Sequence, residues 1–118
     1  MQNTVEPPEL FENRLRHPLK IVVAGLCQIQ LERHRLGVTV IDDLSEGTWG
    51  NLPRHKSLIK RKRSILDNIS SLVKGTDVIF HLAALPRLQR SVDDPRQTHK
   101  VNVDGTLNLL FAAKKHNV

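Results

Sequence analysis

LKIVVAGLCQIQLERHRLGVTVIDD, residues 19–43, sets the frame for the rest of the chain. An apolar, β-branched run from Leu19 to Ala24 ends on Gly25. A polar segment with helical spacing follows, and then Gly37 and a second apolar run, Val38-Thr39-Val40-Ile41, which ends on Asp42 and Asp43. Strand, glycine turn, helix, strand and an acid at the strand tip is the order of a mononucleotide-binding βαβ unit. In such a unit the turn places a phosphate at a helix N-terminus, and the acid accepts from ribose hydroxyls. The turn here departs from the full glycine pattern. Three and six residues after Gly25, where further glycines belong, stand Gln28 and Leu31. Only Leu26 to Gly37 separates the two strands, near the lower limit for a parallel crossover.

Outward from this unit, residues 1–18 carry Pro7, Pro8 and Pro18 without a strand period, and are expected to form a poorly ordered arm. Leu44–Lys56 reads as loop. Leu58–Ile65 reads as a third strand, although Lys60, Arg61, Lys62 and Arg63 are consecutive cations. No strand buried on both faces carries such a run, so this one is expected at a sheet edge, in the order 3-2-1-4. A short helix is predicted over Asp67–Lys74, with Asp67 as its cap and Gly75 beyond its end. Val78–Ala84 shows no alternation and reads as a central parallel strand. Leu85–Asp94 reads as loop. Pro95–His116 is the longest predicted helix, with Val103, Leu107, Leu110 and Phe111 as its apolar stripe. The whole is an α/β chain: a Rossmann-like parallel sheet of about four strands with flanking helices, incomplete, over residues 19–118.

Composition narrows the function. The 118 residues carry a formal charge of +6, and Arg54, Lys56 and the 60–63 run account for it, since the remainder holds 12 basic and 12 acidic residues. With 3% aromatic residues the core must be aliphatic. The single Cys27 excludes a disulfide framework, and the absence of a long apolar run or a signal-peptide pattern points to a cytoplasmic protein with no membrane partner. His81 pairs with no His or Cys at metal-ligand spacing and is expected to be a buried, hydrogen-bonded residue; no metal site is expected. The basic run without an aromatic platform or recognition motif argues against a small nucleic-acid binder, the third of three readings.

The motifs KIVVAG (20–25), VTVIDDLSEG (38–47), TDVIFHLAA (76–84) and SVDDPRQTHKVNVDGTLNLLFAA (91–113) together resemble the N-terminal, cofactor-binding half of the NAD-dependent epimerase/dehydratase family. These are extended short-chain dehydrogenases that act on nucleotide sugars. The resemblance implies bound NAD, a nucleotide-sugar substrate and, in intact relatives, scope for a homodimer. It implies cofactor contacts from Gly25, from Asp42, Asp43 and Ser45 around the adenosine ribose, and from Ser64 and Ile65 beside the adenine. Leu82, Ala83 and Ala84 would pass under the cofactor, and Asn102 would steady the backbone of the site. An acid at Asp42 favours NAD over NADP. By the same resemblance, Gln28 and Leu31 weaken or abolish NAD binding. The family's catalytic Ser or Thr and its Tyr-x-x-x-Lys pair would fall beyond Val118, and the chain has no Tyr. No catalytic residue is therefore expected here. The leading reading is a truncated NAD-binding portion of such an enzyme, and the alternative a remnant or association module without ligand.

Overall fold

A computed structural model describes residues 20–25 and 37–118. The expected arm at 1–18, the helix after Gly25, and the placements of Leu19, Cys27, Gln28 and Leu31 lie outside these residues. Four strands form one parallel sheet: β1 (Lys20–Ala24), β2 (Gly37–Asp42), β3 (Leu58–Lys62) and β4 (Val78–His81), in the order β3-β2-β1-β4. The order is the one read from the charge run. β3 carries Lys60, Arg61 and Lys62 exposed on the outer edge, where their cations deter pairing by another strand.

β1 and β2 are central, and their composition shows why. Val22, Val23, Ala24, Val38, Val40 and Ile41 are each at most 4% exposed. Side chains alternate across the sheet, so the two faces collect different partners. Val23, Val38 and Val40 pack with Leu52 on one face. Ala24 meets Ile65, Ile69, Val73, Leu109 and Ala112 on the other. Asp77 pins the start of β1: its carboxylate accepts from Lys20 N at 2.8 Å, and its own N–H donates to Lys20 O at 2.8 Å.

The helices are α1 (Ser70–Val73), α2 (Leu88–Asp93), α3 (Pro95–His99) and α4 (Gly105–His116). A π-helical turn, Lys100–Asp104, joins α3 to α4. Pro95 opens α3 behind Asp94, whose side chain accepts from Gln97 N at 3.0 Å. Asn117 ends α4 in the left-handed conformation, φ 57°, with Val118 N donating back to Ala113 O.

Several sequence expectations change. β3 stops at Lys62, and Ser64 and Ile65 leave the sheet in a turn. Asp67 does not cap α1; its carboxylate accepts from Ser64 N at 3.0 Å and closes that turn instead. Gly75 does follow the end of α1 with φ +74°. β4 ends at His81, and it is the second edge of the described sheet, with Phe80 53% exposed. Part of the Leu85–Asp94 loop is helical, as α2. The π-helical turn exposes Val103, and α4 exposes Leu107, Leu110 and Phe111 and buries Gly105, Leu109 and Ala112. Small residues win that face because Gly105 lies against Ile65, where a Cβ would collide with the isoleucine side chain.

Candidate functional site

In a parallel sheet, ligands bind in the crevice beyond the carboxyl ends of the strands. The chain has a cavity of about 360 Å³ there, within the range of ligand pockets. Of the residues expected to meet a cofactor, Gly25, Asp42, Asp43, Ser45, Ser64, Ile65, Leu82, Ala83 and Ala84 line it. Asn102 does not line it, but stands behind it.

Gly25 forms the floor where β1 ends. Its φ is +97°, a conformation side-chain-bearing residues avoid. A Cβ there would lie 2.6 Å from Ala83 N and 2.7 Å from Leu82 C. The turn thus runs against the end of β4 with bare backbone. Gly25 N donates to Ile41 O at 2.8 Å, and Leu82 N to Ala24 O at 2.7 Å, so three strand tips are laced together.

The β2 tip forms the acidic wall. Asp42 Oδ1 accepts from Leu44 N at 2.6 Å and Asp43 Oδ1 from Ser45 N at 2.9 Å, two successive side-chain turns. They hold Leu44 at φ 63°, uncommon for a leucine. Asp42 is half-buried and Asp43 exposed. Glu46 pairs with Arg87 at 3.5 Å and also with Arg90, tying this loop to the segment that enters α2.

The fourth side is held from α3–α4. Asn102, in the π-helical turn, accepts from Leu85 N at 2.7 Å and donates to Leu85 O at 3.2 Å. Leu85 is only 7% exposed, so these bonds fix the backbone leaving Ala83 and Ala84. The wide turn aims Asn102 at this loop while Gly105 N still bonds Lys100 O.

His81 is exposed as a residue, which corrects the expectation of burial, yet its ring is tied. Its Nε2 lies 2.7 Å from Thr106 Oγ1, and that hydroxyl donates to Asn102 O at 2.6 Å. The hydroxyl proton being used, Nε2–H is the donor. Partial burial pushes the His81 pKa below its ordinary value. The folded state thus binds this proton less readily than the unfolded chain, so stability falls as pH drops through about 6.5 toward the folded value. In thermal melts at pH 7.5 and 5.5, wild type is expected to lose more Tm than His81→Gln. The difference should be well under the ~4–8 °C that 1 kcal/mol is worth in a domain this size. Equal losses would show that His81 carries no such penalty.

Sequence reading missed Arg63, Glu46 and Arg87 as lining residues. Their only signal was position, next to Ser64, next to Ser45 and three residues after Ala84; charge at a loop end is too common to single them out. Among the described residues no group of three or more His, Cys, Asp or Glu could hold a metal ion, and no helix is long and apolar enough to cross a membrane.

Known proteins share both the sequence and the fold. UDP-glucose 4-epimerase of Mycolicibacterium smegmatis is 39% identical over 84 residues, covering 66% of this chain and 27% of that protein. UDP-N-acetylglucosamine 4-epimerase from Methanobrevibacter ruminantium, solved with UDP-N-acetylmuramic acid, superposes with a TM-score of 0.79 at 32% identity, over 86% of this chain and 36% of its own. The Bordetella bronchiseptica enzyme WbmF, solved in complex with NAD+, superposes with a TM-score of 0.74 at 27% identity, over 83% and 33%. The chain thus spans well under half the length of these relatives. Residues 25–118, which hold β2 to β4, the cavity and the whole of α1 to α4, match the family profile, and the chain belongs to the NAD dependent epimerase/dehydratase family.

Proposed function

We propose that this chain is the cofactor-side portion of a nucleotide-sugar epimerase/dehydratase and receives the adenosine half of NAD in the cavity at the strand tips. What supports this most is that one cavity gathers Gly25, Asp42, Ser64, Ile65 and Ala83 from four separate segments of the sequence. Asp42 accepts from the ribose hydroxyls, with Asp43 and Ser45 beside it. Ser64 and Ile65 flank the adenine. Leu82, Ala83 and Ala84 form the floor, where two alanines leave room for the ribose and phosphates. Asn102 holds that floor through Leu85. When bound, NAD supplies the hydride acceptor and donor for a sugar carbon.

The chain's own part is to bind and orient. With no tyrosine in its 118 residues, the proton transfer associated with the family has no residue here, and turnover of a nucleotide sugar is not expected of this chain alone. NAD binding is weak, in the millimolar range, because Gln28 and Leu31 replace the glycines of the phosphate turn.

An NMR titration of 15N-labelled chain with NAD tests the assignment. Amide shifts are expected at Gly25, Asp42, Ser64 and Ala83, saturating in the millimolar range. Titration to about 10 mM, a concentration far above any working affinity, without shifts at these amides would reject the site.

A further inference from the structure

We propose that Asn108 is a positioning residue for the cavity wall formed by Ser64 and Ile65, and that it sets how well the site receives an adenine ring. This rests on the adenosine reading above.

The wall begins where β3 ends. Arg63 N donates to Asp42 O at 3.1 Å, the last backbone bond between this segment and the sheet among the described residues. From Ser64 the chain turns away, and the turn is closed by its own groups. Ser64 N donates to Asp67 Oδ2 at 3.0 Å, Leu66 N to Ser64 Oγ at 3.1 Å, and Asp67 N to Ser64 O at 3.1 Å. These bonds fix the shape of the turn. None of them fixes where the turn stands relative to Asp42 across the cavity.

Placement comes from α4. Asn108 Nδ2 donates to Ile65 O at 2.6 Å and to Asp67 O at 2.9 Å, partners 43 and 41 residues away in sequence. Gly105, one helical turn earlier on the same face, takes the Ile65 side chain against bare backbone. Ile65 is therefore gripped twice by one helix, through its side chain at Gly105 and its carbonyl at Asn108, and is left 5% exposed.

A primary amide suits this place. It offers two N–H donors from one nitrogen, matched to two carbonyl oxygens. A carboxylate would present acceptors to acceptors, and an apolar residue would leave the half-buried Ile65 carbonyl without a donor. The π-helical turn and α4, which follow one another, thus hold two walls: Asn102 fixes the Leu85 loop and Asn108 the Ser64–Ile65 turn.

The test uses AMP, which carries adenine and ribose without the second half of the dinucleotide. Its affinity is read by NMR at the Asp42 and Ser64 amides of wild type, Asn108→Ala, Asn108→Asp and Val38→Ala. Val38 lies at the far end of β2 from the cavity and is 1% exposed, so its truncation lowers stability without touching the wall. Both Asn108 variants are expected to bind AMP about tenfold more weakly, the effect of losing a correctly placed contact worth roughly one hydrogen bond to the ring. Val38→Ala, compared at a similar distance below its Tm, should keep wild-type affinity. If Asn108→Asp fails to fold, Asn108→Ala decides. An Asn108→Ala affinity within about twofold of wild type, or an equal loss in Val38→Ala, would overturn the positioning role while leaving the adenosine site intact. No AMP shifts in wild type would reject the adenosine site itself, and this role with it.

Discussion

Gly25→Ala is expected to destabilise the chain by on the order of 3–5 kcal/mol, a large part of the ~5–15 kcal/mol that holds a domain of this size together. Two effects combine. Alanine at φ +97° carries a backbone strain of roughly 1–2 kcal/mol. Its methyl would also lie 2.6 Å from Ala83 N and 2.9 Å from Ala83 Cα, and β4 would have to move, since backbone cannot rotate aside as a side chain can. Gly75 separates the two terms. It has φ +74°, yet a Cβ there would meet nothing within 4 Å. Gly75→Ala should therefore show the strain alone, about 1 kcal/mol. Urea denaturation of both variants measures the difference. If the two lose the same stability, the close approach of β1 to β4 contributes nothing. Because Leu82 and Ala83 also floor the cavity, any Gly25→Ala protein that folds should show reduced NAD shifts.

Restoring the glycine turn is expected to tighten NAD binding by about 10²–10⁴-fold. The dinucleotide carries two negative charges, and in this fold they are met by backbone N–H groups at a helix start. Those contacts need bare backbone, whereas the sequence supplies Gln28 and Leu31. Two charge-assisted hydrogen bonds at ~1.5–3 kcal/mol each convert to that range at ~1.4 kcal/mol per decade. The comparison is calorimetry on the wild-type chain and on one whose turn reads GGAGFIG from residue 25, with two helical turns added behind it. Millimolar binding by the first and micromolar by the second is the expected pair. Low-micromolar binding by the unaltered chain would show that the missing glycines do not limit affinity. Failure of both would place the fault in the adenosine wall.

The sheet and the crevice at its strand tips were legible in the sequence because each rests on a local signal. In β1 and β2, runs of Val and Ile fit strands covered on both faces, and four adjacent cations fit only an edge. Gly25 and Asp42 sit at strand ends, and in a parallel sheet all such ends point the same way. Knowing the strands was thus enough to bring Gly25, Asp42, Ser64 and Ala83 to one crevice.

The helix faces were not legible. The last helix has two apolar stripes, and the periodicity of Val103, Leu107, Leu110 and Phe111 is as good as that of Leu109 and Ala112. Spacing says that a stripe exists, not which one the sheet takes. The choice fell to Gly105 and Ala112 because only small residues admit the close approach of Ile65 and the sheet. The same limit applies to polar groups. Asp67 looked like a helix cap and instead closes the Ser64 turn. Asn108, which no sequence pattern singled out, holds carbonyls more than forty residues away. Hydrogen bonds between distant segments leave no period in a sequence, since they depend on where the packed helix finally comes to rest. The sequence alone determined the strand order and the place of the crevice at the strand tips; tertiary packing decided which residues hold its walls.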